Sequence, residues 1–186
     1  MIASYIGHAL DKPLKFFLKI LPFSPNSFSF FGLFTAFIST IFIIDGSKFG
    51  AALILISGFF DILDGVAART KGKGTPFGAF LDSVFDRISD SLFFIGLTIF
   101  FFLKNDGEGI LICVATMALS LIISYIKARA EGIGRTCKVG LIERPERLII
   151  ISLGIYSGMI KESLMLLGLL SFITVIQRIF YVYMQK

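Results

Sequence analysis

Soft metal ligands are almost missing from this sequence. It has one histidine, His8, and two cysteines, Cys113 and Cys137, whose separation matches no metal-ligand spacing. Zinc sites built from imidazole and thiolate are thereby excluded. The cysteines read as structural, and His8 as an interfacial side chain. Polar residues are scarce too. Charged residues make up 17% of the 186 and hydrophobic ones 55%, which leaves too few polar groups to cover the outside of a soluble domain. Lipid is the solvent that suits this composition. No linker, repeat or low-complexity stretch divides the chain, so 1–186 reads as a single domain. Lys12, Lys15 and Lys19 interrupt the first apolar run, and no cleavable signal peptide is expected. Nothing suggests a nucleic-acid partner.

What is present is a set of apolar segments near the length a bilayer requires, roughly 20 residues each. Six are expected to span, at about 26–45, 48–70, 78–103, 109–131, 145–160 and 163–184. The fifth is short. Before them, "LDKPLKFFLKILPF" alternates lysines with Phe, Leu and Ile, so residues 1–22 are expected to form an amphipathic helix on the membrane surface. The fold class is therefore an all-α integral membrane protein. Of the 18 Lys and Arg, all but Lys48, Lys104 and Lys161 fall in the termini, the 2–3 and 4–5 connections and the adjoining helix ends. By the positive-inside rule that side is cytoplasmic, with both termini inside the cell membrane.

Against this background five aspartates stand out within spans two and three: Asp61, Asp64, Asp82, Asp86 and Asp90. An ionised carboxylate at the centre of a bilayer costs roughly 2.5–3.5 kcal/mol on insertion scales, so these groups must be paired, hydrated or bound to cations. Asp61 and Asp64 are three apart and Asp82 and Asp86 four apart, so each pair shares a helix face. The turn "TKGKGTP" folds the two helices antiparallel. Asp61 and Asp86, like Asp64 and Asp82, then lie at matched depth on either side of residue 73, in the cytoplasmic half. Four carboxylates at one level call for divalent cations. Hard oxygen donors suit Mg²⁺ or Mn²⁺, and four ligands shared by two ions suit displacement at phosphorus. Gly65, Ala68 and Gly78 lie on or beside the same faces and let a bulky ligand approach. Arg69 and Thr75 stand at the mouth, where they can meet phosphate or a nucleotide.

The motif Asp61-x2-Asp64-Gly65-x2-Ala68-Arg69-x8-Gly78-x3-Asp82-x3-Asp86 resembles the complete signature of the CDP-alcohol phosphotransferase family, with eight fixed residues over 26 positions. "SPNS" (Ser24, Pro25, Asn26, Ser27) before the first span resembles the family segment that contacts the cytidine nucleotide. The resemblance implies roles by position. Asp61, Asp64, Asp82 and Asp86 hold two metal ions, and Asp86 also serves as general base. Gly65, Arg69 and Thr75 contact the CDP moiety, with Ala68 and Gly78 leaving room for it. It also implies a homodimer. Asp90 lies outside the signature and reads as a supporting or helix-pairing residue, and Arg87 as a partner for a neighbouring acid.

The second basic region bears on the acceptor. "SYIKARAEGIGRTCKVGLIERPERLII" gathers cations around the 4–5 connection, more than a neutral acceptor needs and suited to one carrying a phosphate. Its segments "YIKARAEG" and "GLIERPERLI" resemble those of the family branch that joins a CDP-linked lipid to inositol 1-phosphate, in bacterial and in archaeal ether-lipid form. By that resemblance Lys127, Arg129, Arg147 and Arg178 bind the acceptor phosphate. Two readings stand beside it: glycerol 3-phosphate as acceptor, or a soluble donor such as CDP-inositol. A divalent-cation transporter is a more distant reading. It needs polar residues through to the far side, yet "AALILIS" and "FFIGLTIFFFL" in the outer halves are almost wholly apolar.

Overall fold

The computed structural model describes residues 25–71 and 75–185. The expected surface helix (1–22), Ser24 and the centre of the glycine-rich turn lie outside the described residues. Within them the protein is all-α, with six helices: α1 (Pro25–Ile44), α2 (Lys48–Lys71), α3 (Pro76–Leu103), α4 (Gly107–Gly132), α5 (Arg144–Ser157) and α6 (Ile160–Met184). Each falls close to an expected span. Four of them, α1, α2, α4 and α6, are long and apolar enough to cross a membrane. The other two depart from that standard for physical reasons. α3 carries Asp82, Asp86, Arg87 and Asp90. α5 has only 14 residues, about 21 Å at the α-helical rise.

Local chemistry sets the helix ends. Thr75 caps α3 by accepting from the Gly78 N–H at 3.0 Å, with Pro76 beginning the helix. Asp106 caps α4 by accepting from the Gly109 N–H at 2.9 Å. At the start of α5 the Glu146 carboxylate accepts from the Glu143 N–H at 3.1 Å. α5 stops at Gly158, whose φ of 80° continues a left-handed turn that other residues adopt at a cost.

Packing closes the helices into a ring. α1 lies against α2 and α3, α2 also against α5, α3 against α4, and α4 and α5 both against α6. The order around the bundle is therefore α1, α2, α5, α6, α4, α3. The apolar core fills the end of the ring away from the aspartates, with Ile43, Ile54, Phe93, Phe94, Leu97, Ile151 and Leu164 buried together. Among the described residues it puts a dry plug where a transport path would need polar groups. Large apolar side chains such as Phe34, Phe37, Leu111, Leu153 and Phe172 face outward, as a lipid-exposed surface requires. Cys113 and Cys137 are buried free thiols, in keeping with a structural role.

Polar groups inside the bundle mostly join backbones. Ser57 donates to the Gly32 carbonyl at 2.9 Å, tying α2 to α1. Thr116 donates to the Leu164 carbonyl at 3.2 Å, tying α4 to α6. At the apolar end Lys161 meets Asp106 at 2.7 Å and Glu108 at 3.1 Å, fastening the α3–α4 turn to α6. The hydrogen bond from Lys161 holds the Asp106 carboxyl below its ordinary pKa.

Where α2 meets α5, Gly58 leaves room for Leu148. A Cβ at Gly58 would lie 2.8 Å from Leu148 Cδ1. Gly58→Val is expected to push the Leu148 side chain from its place and lower stability by about 1 kcal/mol. Thermal melts of the detergent-solubilised variant and wild type measure this directly, and an unchanged Tm would contradict it.

Candidate active site

α2 and α3 bring the signature residues together as the spacing predicts. One carboxylate oxygen from each of Asp61, Asp64 and Asp82 lies within 4.8 Å of the others. Asp64 is buried, at 6% exposure. Its Oδ2 accepts from Ser29 Oγ at 2.7 Å, across from α1. Ser29 was not among the expected site residues. Its signal is a three-residue spacing from Asn26 on one face of α1.

Asp86 borders the same small cavity as those three aspartates, and a cation from α5 meets it and Asp61 together. Arg144 Nη1 is 2.7 Å from Asp86 and 2.7 Å from Asp61. Arg144 Nε donates to Asp90 at 3.2 Å. Arg87 is 3.7 Å from Asp86, the acid pairing expected of it, and also donates to the Ser83 carbonyl. Arg144 is the main residue that sequence reasoning missed. It sits three residues before Arg147, so the two share a face of the first turn of α5. Cations are disfavoured at the positive end of a helix dipole. The aspartates of α2 and α3 offset that cost and account for the placement.

Asp90 is the pairing residue expected of it. Besides Arg144 it binds Arg147 Nη2 at 2.9 Å. Arg147 is only 4% exposed and also donates to the Ser120 carbonyl of α4. Arg178, 3% exposed, donates to the carbonyls of Ile123 at 2.7 Å and Val139 at 2.9 Å. Gly140, at φ 144°, lets the 139–140 backbone pass that guanidinium, since a Cβ there would lie 3.3 Å from Arg178 Nε. Two of the four cations expected at the acceptor are thus built into the bundle, with bonds to its own groups.

A small cavity of about 10 Å³ lies among Asp61, Asp64, Asp82 and Asp86, and three larger ones border these aspartates. The first is lined by Asn26, Ser29, Asp64, Gly65, Ala68, Arg69, Thr75, Gly78 and Asp82. It gathers most of the expected nucleotide residues. Ser27 is half-buried and does not line it, and Pro25 begins α1. Gly78 permits the close approach of α1, because a Cβ there would lie 3.0 Å from both Asn26 Oδ1 and Thr75 Oγ1. The second cavity, of about 340 Å³, is basic and lies on the other side of Asp61 and Asp86. Lys127, Arg87, Arg144, Arg147 and Arg178 line it with Asp90 and Glu143. Arg129 does not line it and is exposed. It lies two residues beyond Lys127, and residues two apart on a helix point away from each other. The third cavity, about 390 Å³, is apolar and runs between α2 and α5. Leu55, Phe59, Ile62, Leu148 and Ile149 form its walls, and Asp61, Gly65, Arg69 and Arg144 its polar end.

The donor set fits a hard divalent cation: clustered carboxylate oxygens, one oriented by a buried hydroxyl, with no nitrogen or sulfur ligand among them. Partners that orient ligands govern affinity as the ligands do. Ser29→Ala should therefore weaken Mn²⁺ binding about 10- to 100-fold with helix content unchanged. Calorimetric titration with MnCl₂ and circular dichroism test the two halves of that statement.

Comparison with known proteins agrees with this geometry. The sequence profile of CDP-alcohol phosphatidyltransferase matches residues 23–181. The archaetidylinositol phosphate synthase of Methanothermobacter thermautotrophicus is 41% identical over 140 residues, 72% of this chain and 69% of that protein. The phosphatidylinositol phosphate synthase of Mycobacteroides abscessus is 38% identical over 181 residues, 91% of this chain and 81% of that one. The crystal structure of Mycobacterium tuberculosis phosphatidylinositol phosphate synthase with CDP-DAG bound aligns with a TM-score of 0.84 at 34% identity, covering 94% of both chains. The same protein in complex with manganese and citrate aligns with a TM-score of 0.84 at 34% identity, covering 93% of this chain and 88% of that one. With its signature on α2 and α3 and its match running from α1 to α6, this chain belongs to the CDP-alcohol phosphatidyltransferase family.

Proposed function

We propose that this protein transfers the phosphatidyl or archaetidyl group of a CDP-linked lipid to a hydroxyl of inositol 1-phosphate and releases CMP. The observation that carries the reading is the meeting of three differently lined cavities at one group of aspartates. One suits a nucleotide, one a phosphorylated polar acceptor and one a lipid chain. Relatives named as inositol phosphate synthases, and the CDP-DAG complex of one of them, support the choice of substrates.

Each group then has a task. Asn26, Arg69 and Thr75 hold the cytidine nucleotide and its pyrophosphate, and Gly65, Ala68 and Gly78 leave it room. Asp61, Asp64, Asp82 and Asp86 hold two divalent ions, Mg²⁺ or Mn²⁺, which when bound neutralise phosphate charge and stabilise the transition state. The manganese complex of the mycobacterial enzyme supports that choice. Asp86, between the aspartate group and the basic cavity, accepts the proton of the acceptor hydroxyl. The hydroxyl oxygen bonds to the β-phosphorus, the bond from that phosphorus to the bridging oxygen breaks, and CMP leaves. Arg69 offsets the charge that grows on the leaving group. Lys127, Arg147 and Arg178 bind the acceptor phosphate, and Arg129 assists from outside the cavity. The lipid chains lie between α2 and α5. All six helices span the cell membrane, α5 meeting the shortest path, with the site open to the cytoplasm. The 1–186 domain acts as a homodimer, which light scattering of an active solubilised preparation checks.

The decisive assay offers purified protein inositol 1-phosphate, glycerol 3-phosphate or serine, each with CDP-diacylglycerol and CDP-archaeol. Lipid product is expected with inositol 1-phosphate. Product from glycerol 3-phosphate or serine alone would overturn the acceptor. Asp86→Asn should abolish transfer yet retain CDP-lipid binding, and near-normal turnover would remove Asp86 as base. Lys127→Ala should raise the acceptor KM roughly 10- to 150-fold with the donor KM little changed. Equal effects on both substrates would count against a phosphate contact.

A further inference from the structure

Arg144 stands where the aspartates call for a cation. Its Nη1 lies 2.7 Å from Asp61 Oδ2 and 2.7 Å from Asp86 Oδ1, and neither approach has hydrogen-bond geometry. Arginine usually meets one carboxylate as a two-pronged fork. Here a single nitrogen is lodged as a charge between two carboxylates carried by different helices. The rest of the side chain is held from the opposite side, where Nε donates to Asp90. Asp90 is anchored in turn by Arg147.

A divalent ion bound to oxygens of both Asp61 and Asp86 would contend with that nitrogen for the same lone pairs. Two cations at one point between two carboxylates repel each other. From these contacts we infer that Arg144 is a built-in counter-ion of the site. It neutralises Asp61 and Asp86 in the ion-free protein and withdraws towards Asp90 when a divalent ion takes both carboxylates. The inference rests on the divalent-ion reading of the aspartates. It adds a positioning residue whose two states differ by ion loading. Arg144 already lines the basic cavity with Lys127, Arg147 and Arg178. Withdrawal from Asp61 and Asp86 therefore leaves its charge there less neutralised.

Chelator-stripped full-length protein is titrated with MnCl₂ alone by calorimetry and melted with and without Mn²⁺. Arg144→Gln should bind Mn²⁺ roughly 10- to 150-fold more tightly than wild type, the range of one charge-assisted contact. It should also melt lower than wild type in chelator and gain more from added Mn²⁺. A merely structural arginine would shift both melts equally. Arg144→Lys keeps the charge and should stay near wild-type affinity. A folded Arg144→Gln with equal or weaker affinity overturns the inference. A second measurement needs no neutral variant. The arginine ¹⁵Nε resonance that Arg144→Lys removes should move when wild type is saturated with Mg²⁺ and stay fixed in Asp64→Asn. A resonance that does not move in wild type overturns the inference even if Arg144→Gln fails to fold. Absence of Mn²⁺ binding to wild type overturns the divalent-ion reading as well. Binding that Asp64→Asn abolishes but Arg144→Gln leaves unchanged overturns the role of Arg144 alone.

Discussion

Negative charge held inside an apolar bundle is the constraint around which this protein is arranged. Five aspartates lie within about two turns of α2 and α3, and in hydrocarbon they repel one another unless cations lie among them. The chain answers with residues from distant parts of the sequence: Ser29 from α1 on Asp64, Arg144 across Asp61, Asp86 and Asp90, and Arg147 on Asp90. Each partner also fixes a helix. Ser29 sets the depth of α1, and the two arginines draw the first turn of α5 onto α3.

This leaves the bundle divided. One end is a dry, interlocked core of Phe, Ile and Leu that holds the helices in register. The other is loosely filled, with cavities between helices that the core keeps in place. Catalytic precision at the open end depends on rigidity at the closed one. Gly58→Val, one helical turn from Asp61 on the wall of the same apolar cavity, acts on that cavity by displacing the Leu148 side chain.

Helix positions and the aspartate group were legible in the sequence for simple reasons. Apolar run length reflects bilayer thickness, and i, i+3 and i, i+4 spacings reflect helix geometry, so six helices and matched aspartates follow from local rules. Long-range pairing does not. Nothing in the spacing says that Arg144, 54 residues beyond Asp90, reaches it, nor that Ser29 reaches Asp64. The basic 4–5 connection satisfied the topology rule, which hid the fact that some of its cations are buried counter-ions. Arg147 and Arg178 line the basic cavity, and the sequence does not show that each is also held there by protein groups. Arg129 looks equivalent to Lys127 in a string of basic residues, and only the helix pitch separates them.

The closed ring has a consequence for how the chain is made. Its spatial order puts α5 between α2 and α6, so the helices carrying the acids leave the ribosome well before those carrying their arginines. At about 5–20 residues per second, the 54 positions from Asp90 to Arg144 take roughly 3–10 s to synthesise. During that interval the aspartates of α2 and α3 are without Arg144 and Arg147. Late docking of α5 and α6 both closes the bundle and discharges it, so assembly of the fold and neutralisation of the site are a single event.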